Sequence, residues 1–187
     1  VLFLGITTIL SDIAIWGALS VLTITISKEI FLKGSWGYGL MDGMYGFGAL
    51  LSTVAIAKTV AIIGRKKALL LCYSVAGICC FISPLTSTIY LAGVAYFFMG
   101  LHNNAARIII RTLFMEIIPN RIMGRVQTIF GVYTRIMMLS SALMAGYITE
   151  QYDPFTGMGF ASAHYALALI GIIIIIKIHK FKNEIFK

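Results

Sequence analysis

Apolar residues run along this chain in blocks of about 17 to 25, parted by short turns of charged and small residues, the length a helix needs to cross about 30 Å of hydrocarbon. Six such blocks are predicted to be membrane-crossing helices, at approximately 1–26, 38–60, 67–83, 87–117, 122–149 and 160–177. The alternation over roughly ten residues that marks a membrane β-barrel does not occur. The expected fold class is an all-α membrane protein, with a six-transmembrane-helix bundle forming a single domain over 1–187.

Polar residues that break into these blocks locate the candidate chemistry. The fourth block takes an apolar segment, Ile89 to Gly100, and places His102, Asn103, Asn104, Arg107 and Arg111 in its continuation before Pro119 stops the helix. In hydrocarbon each polar group needs a protein partner or a watery cavity. Tyr96, Gly100, Asn103 or Asn104, Arg107 and Arg111 recur every three or four residues, along one expected helix face. Counted from Tyr90, His102 to Asn104 lie about 18 to 21 Å deep, while Arg111 lies about 31 Å in, where a snorkelling anchor suffices to explain it. Interhelical hydrogen bonds and substrate contact are equal readings of Asn103 and Asn104.

Other blocks carry fewer interruptions. Asp12 is the only charge in the first, with Trp16, Leu19 and Thr23 following at helical spacing; it reads as a satisfied carboxylate, as a proton or substrate group, or as a group that residues upstream of Val1 place near the surface. In the second, Gly39, Gly43 and Gly46 form a small-residue row that predicts close packing on a neighbour, and Asp42 sits in the outer third. The third is nearly featureless. The fifth contains Gln127, Gly131 and Arg135 at intervals of four, with Arg135 about 15 Å past Arg125 and so near the midplane. An arginine there needs an anion, carbonyls or water, and depth permits Asp12 or Asp42 as its partner. The sixth, with His164 and an isoleucine-rich run, is expected to be peripheral.

Composition sharpens the membrane assignment. Hydrophobic residues make up 59% and charged residues 12% of the chain, with a mean hydropathy of +0.93, which no soluble domain could cover with a polar surface. The net charge of +8 does not form a nucleic-acid stripe, because the basic residues cluster at block ends: Lys58, Arg65, Lys66 and Lys67; Arg121 and Arg125; and Lys177, Lys180, Lys182 and Lys187. The positive-inside rule then places both termini in the cytoplasm. Cys72, Cys79 and Cys80 share one block without metal-ligand spacing, so no metal is expected. Val1 already lies within an apolar block, as in a fragment that lacks its natural start.

Two turns carry a resemblance. Pro119 to Val126, PNRIMGRV, looks like the proline, basic and Gly-Arg series at an inner turn of many efflux members of the major facilitator superfamily. Gly64-Arg65-Lys66 with Leu69 is similar to the tail of that family's signature loop, although Ala61 and Ala57 stand where the loop usually has an aspartate and a glycine. The chain resembles the C-terminal half of such a transporter, its last six helices, and is most like macrolide and siderophore exporters. The resemblance implies half of a twelve-helix fold, whose N-terminal six-helix half is absent here, with a small-molecule substrate bound between the halves. It implies a site built from Asp12, His102, Asn103, Asn104 and Arg135, with Asp42, Arg107 and Gln127 secondary. Gly64, Arg65, Lys66, Pro119, Gly124 and Arg125 would serve as inner contacts, and the bacterial cytoplasmic (inner) membrane would be the location. Protons are the expected coupling ion, because intramembrane carboxylates bind and release them.

The expected function is secondary active transport, an exporter or antiporter of a medium-sized organic molecule such as a drug or siderophore. A midplane arginine flanked by asparagines favours a substrate with acceptor groups. No GxxxxGK loop points to ATP, no cofactor is expected, and neither HExxH nor GxSxG supports an enzyme. A six-helix scaffold or partner subunit without transport of its own is the alternative.

Overall fold

The computed structural model describes residues 2–177, with side chains from Gly5 onward; Lys180, Lys182 and Lys187 of the expected basic tail lie outside the described residues. Every major element is a helix. Leu2–Asp12 (α1) passes through a π-helical turn, Ile13–Ala18, into Leu19–Thr25 (α2), and a second π turn, Ile26–Ile30, completes this first arm. Gly34–Ile82 (α3), Ile89–Ile117 (α4), Asn120–Gln151 (α5) and Pro154–Lys177 (α6) follow, with a short 3-10 turn, Ser83–Leu85, between α3 and α4. Gly5–Ile30, Gly34–Leu85, Asn120–Gln151 and Pro154–Lys177 are long and apolar enough to cross a membrane by length and composition. α4 is not among them, because its polar insertions lower its hydropathy.

The six expected spans therefore appear as five continuous helical stretches. With 49 residues, α3 would run about 74 Å if straight, more than twice the hydrocarbon thickness. Gly64 breaks it: φ 77° and ψ 159° belong to a region that essentially only glycine enters. Beyond it the chain turns back. Gly37 packs on Ile89 at the start of α4, Arg65 bonds Glu116 at its end, and the second arm of α3 closes at Ile82, again beside the start of α4. The break at Gly64 falls between the expected spans at 38–60 and 67–83.

Local signals set the remaining ends. Thr88 accepts the Leu91 amide at 3.4 Å to cap α4. Pro119 holds Ile118 extended, so α4 stops and α5 starts within a few residues. Asp153 accepts the Thr156 amide at 2.7 Å ahead of α6, whose first residue, Pro154, has no amide to leave unpaired.

The α3–α4 contact is the most extensive in the fold. It is closest where two glycines cross: a Cβ on Gly48 would strike the Phe97 carbonyl, and one on Gly100 would strike that of Tyr45. The row expected to pack, Gly39, Gly43 and Gly46, is instead exposed, with nothing within 4 Å of a Cβ at any of the three. The buried face of that arm runs one register away, through Gly37, Met41, Gly48, Ser52 and Ile56. The nearly featureless third block packs as scaffold, supplying core residues Leu69, Cys72, Tyr73, Ala76 and Cys80, and one further expectation is corrected. The sixth is not peripheral, since Met158, Ala161, Tyr165, Ala168 and Ile172 are fully buried against α1 and α3.

α5 is different. Among its residues only Ser141 and Ala145 are buried, and it packs chiefly on the Ile13–Ala18 turn and on α6. It is held away from α4 except where Phe114 and Phe130 stack, their rings 6.0 Å apart at 21°.

Candidate functional site

The separation of α4 from α5 opens a cleft of about 910 Å³, closed on its third side by the first arm. The first arm contributes Gly5, Asp12 and Trp16; α4 contributes Arg107, Arg111, Phe114 and Met115; α5 contributes Gln127, Phe130, Gly131, Arg135 and Met138. The volume suits a drug-sized organic molecule. Gly5 has no side chain where Phe130 crosses it, so that ring lies directly on α1. The π turn begins just after Asp12 and shifts the register: Trp16 faces the cleft, whereas Leu19 and Thr23, expected on the same face, are buried.

The walls carry three guanidiniums and one carboxylate. Arg107 Nε stands 3.1 Å from Asp12 Oδ1, with side-chain exposures of 22% and 14%. The approach is that of an ion pair without an aligned hydrogen bond, so Asp12 Oδ1 is buried with an unused lone pair. Asp12 is thus the partner of Arg107 and not of Arg135. Asp42, the other expected partner, is exposed on a different arm and does not line the cleft. Arg111, expected to be an anchor at the membrane edge, lies on the cleft wall. Neither Arg111 nor Arg135 makes a hydrogen bond or an ion pair among the described residues. One negative and three positive charges leave a net charge of +2 on the walls.

His102, Asn103 and Asn104 do not reach the cleft. Asn103 is fully buried, donates to the Tyr45 hydroxyl at 2.9 Å and accepts from the Tyr165 hydroxyl at 3.4 Å, tying α4 to α3 and α6. Asn104 donates to the Ala49 carbonyl at 3.0 Å and to Ser52 Oγ at 2.7 Å. Both amides pair helices, and neither lines the cleft. The His102 ring nitrogen bonds the Phe98 carbonyl one turn back, at 2.8 Å.

At the turns, Arg65 donates a bidentate pair of bonds to Glu116, at 2.5 and 2.8 Å, joining the Gly64 bend to the end of α4. These bonds raise the pKa of the Arg65 guanidinium above its ordinary value, so it is a fixed cation. Lys66 is half-buried, Pro119 caps α5, and Gly124 and Arg125 are exposed on its first turns. No group of three or more histidine, cysteine or acidic side chains among the described residues could hold a metal.

The sequence missed the aromatic walls. Phe114 and Met115 continue the Arg107 and Arg111 register by a further turn, and Phe130 and Met138 flank the Gln127–Gly131–Arg135 row, a signal that helical spacing carried.

The family described as the Major Facilitator Superfamily matches residues 1–184, nearly the whole chain. Among curated proteins, none matches.

Proposed function

The chain belongs to the major facilitator superfamily, whose members are secondary transporters of small molecules in membranes, and on that premise we propose that its charged cleft is the substrate site of a proton-coupled exporter. The observation that carries this reading is the placement of Asp12, Arg107, Arg111 and Arg135 around one cleft of about 910 Å³ between three helices. In an otherwise apolar chain, such groups mark a path for substrate or ions.

Asp12 is the proton carrier in this reading. Protonation removes its attraction for Arg107, whose guanidinium then swings toward the cleft; the pair is held by charge without an aligned hydrogen bond, so none has to break. Substrate and the Asp12 carboxylate thereby compete for one cation, which links substrate affinity to the protonation of Asp12.

A second six-helix half covers the cleft in this reading, as the family's architecture has it, and the chain is the C-terminal half. Support comes from the faces left bare: the Gly39, Gly43 and Gly46 row, and most of α5. The drug or siderophore class of substrate rests on cleft size and charge. The test is accumulation of candidate compounds in cells expressing the full-length protein, with and without a proton gradient. Asp12→Asn and Arg135→Ala should each abolish gradient-dependent export while the protein still inserts. Wild-type export in both variants overturns the reading.

A further inference from the structure

The geometry points to an aromatic organic dianion as the ligand of this cleft, with one acidic group on Arg111 and the other on Arg135; this deepens the transport reading above and rests on it. Two features combine. The first is charge. Asp12 answers Arg107, whereas Arg111 and Arg135 stand on different helices with no hydrogen bond or ion pair among the described residues. Guanidinium groups do not discard their protons, and their planar forks match a carboxylate two bonds at a time. A ligand with one negative charge leaves one fork unanswered, and a neutral ligand leaves two.

The second feature is the aromatic lining that shares the cleft with the forks. Phe114 and Phe130 stack at the meeting of α4 and α5, and Trp16 is 53% exposed toward the same space. Phe114 and Phe130 are half-buried and Trp16 is exposed; aromatic surface of this kind beside fixed cations favours a flat, conjugated body over a flexible polar one. A small dicarboxylate would fill only a fraction of about 910 Å³ and would leave these rings wet. Gln127 supplies a neutral donor and acceptor within the same wall.

Three dansyl compounds hold the ring constant and vary the charge: dansyl-aspartate with two carboxylates, dansyl-glycine with one and dansyl-glycinamide with none. Binding to the purified full-length protein in nanodiscs of neutral lipid, read by dansyl fluorescence, should weaken by about tenfold or more at each step down in charge. Arg111→Gln and Arg135→Gln should each reduce dansyl-aspartate to the affinity of dansyl-glycine, and the double variant to that of dansyl-glycinamide. Both residues are exposed and unbonded, so folding should survive; Arg111→Lys and Arg135→Lys, which keep charge but lose the fork, should fall between. Nanodiscs with anionic lipid form a further arm, in which headgroups compete if lipid is the true occupant.

Equal affinity across the three compounds, unchanged binding in the double variant, or loss of dansyl-aspartate binding in anionic lipid alone each overturns the dianion inference. The transport reading fails separately. Gradient-driven export abolished by Asp12→Asn, with no charge preference in the dansyl series, leaves transport standing and sinks the ligand class; charge-ordered binding without any export does the reverse.

Discussion

Replacing Asp12 by asparagine removes the anion from a pair that is 3.1 Å apart and about four-fifths shielded from solvent. At that distance and an effective dielectric of about 20, Coulomb attraction is about 5 kcal/mol. Desolvation consumes part of it, and the pair lacks an aligned hydrogen bond, so the loss expected for one partner is about 3 kcal/mol, at the low end for a buried pair. For a chain of this size that lowers the melting temperature by about 6 to 12 °C. Most of the loss is the cost of stranding Arg107 as a cation, and so Arg107→Gln in the Asp12→Asn background should recover about 2 kcal/mol relative to additivity. The assay is a double-mutant cycle on purified protein, melting followed by intrinsic fluorescence and by recovery from size exclusion. Additivity within about 0.5 kcal/mol would refute the pairing.

Three further outcomes follow from the packing. Gly64→Ala forces a side chain into φ 77°, ψ 159° and should cost about 1 to 3 kcal/mol, visible as lower yield and earlier melting, whereas Gly124→Ala, with nothing within 4 Å, should be neutral or stabilising. Gly100→Leu should part α3 from α4 at their closest crossing and abolish insertion-competent folding, while Gly43→Leu, with open space around it, should leave the fold intact by the same melting measurement. Asn103→Leu loses two interhelical bonds and should destabilise by about 1 kcal/mol without changing ligand affinity, because the amide does not reach the cleft.

Part of the architecture is legible in proline and glycine: helix ends near Pro84 and Pro119 and the bend at Gly64 follow from residues that restrict or free the backbone, whereas α6 starts at Pro154, ahead of the expected 160. The site is legible in part. Asp12, Gln127 and Arg135 stand out because each is polar within an apolar run, and all three line the cleft. The asparagines stand out for the same reason and serve packing instead. Helical steps of four drift by about 40° each, so Asn103 and Arg111, two such steps apart, diverge by about 80°, enough to send one into the core and the other to the cleft. Small-residue rows failed for a related reason: Gly39, Gly43 and Gly46 say that a helix can be approached closely, not by what. α6 shows no preferred face in its isoleucine run, and its orientation is fixed by Ala161, Tyr165 and Ala168, whose spacing of four and three marks the buried side.

The most direct measurement is thiol accessibility along α5. In a background with Cys72, Cys79 and Cys80 replaced by alanine, single cysteines at Gln127, Gly131 and Thr134, which line the cleft, are compared with cysteines at Ile129, Val132 and Ile136, about half a turn away. A charged, membrane-impermeant methanethiosulfonate should modify the first three at least about tenfold faster, because a thiol in apolar surroundings resists ionising. Equal rates on both faces, or faster modification at 129, 132 and 136, would mean that Arg135 does not look into water shared with Asp12 and Arg111, and no charged cleft would remain.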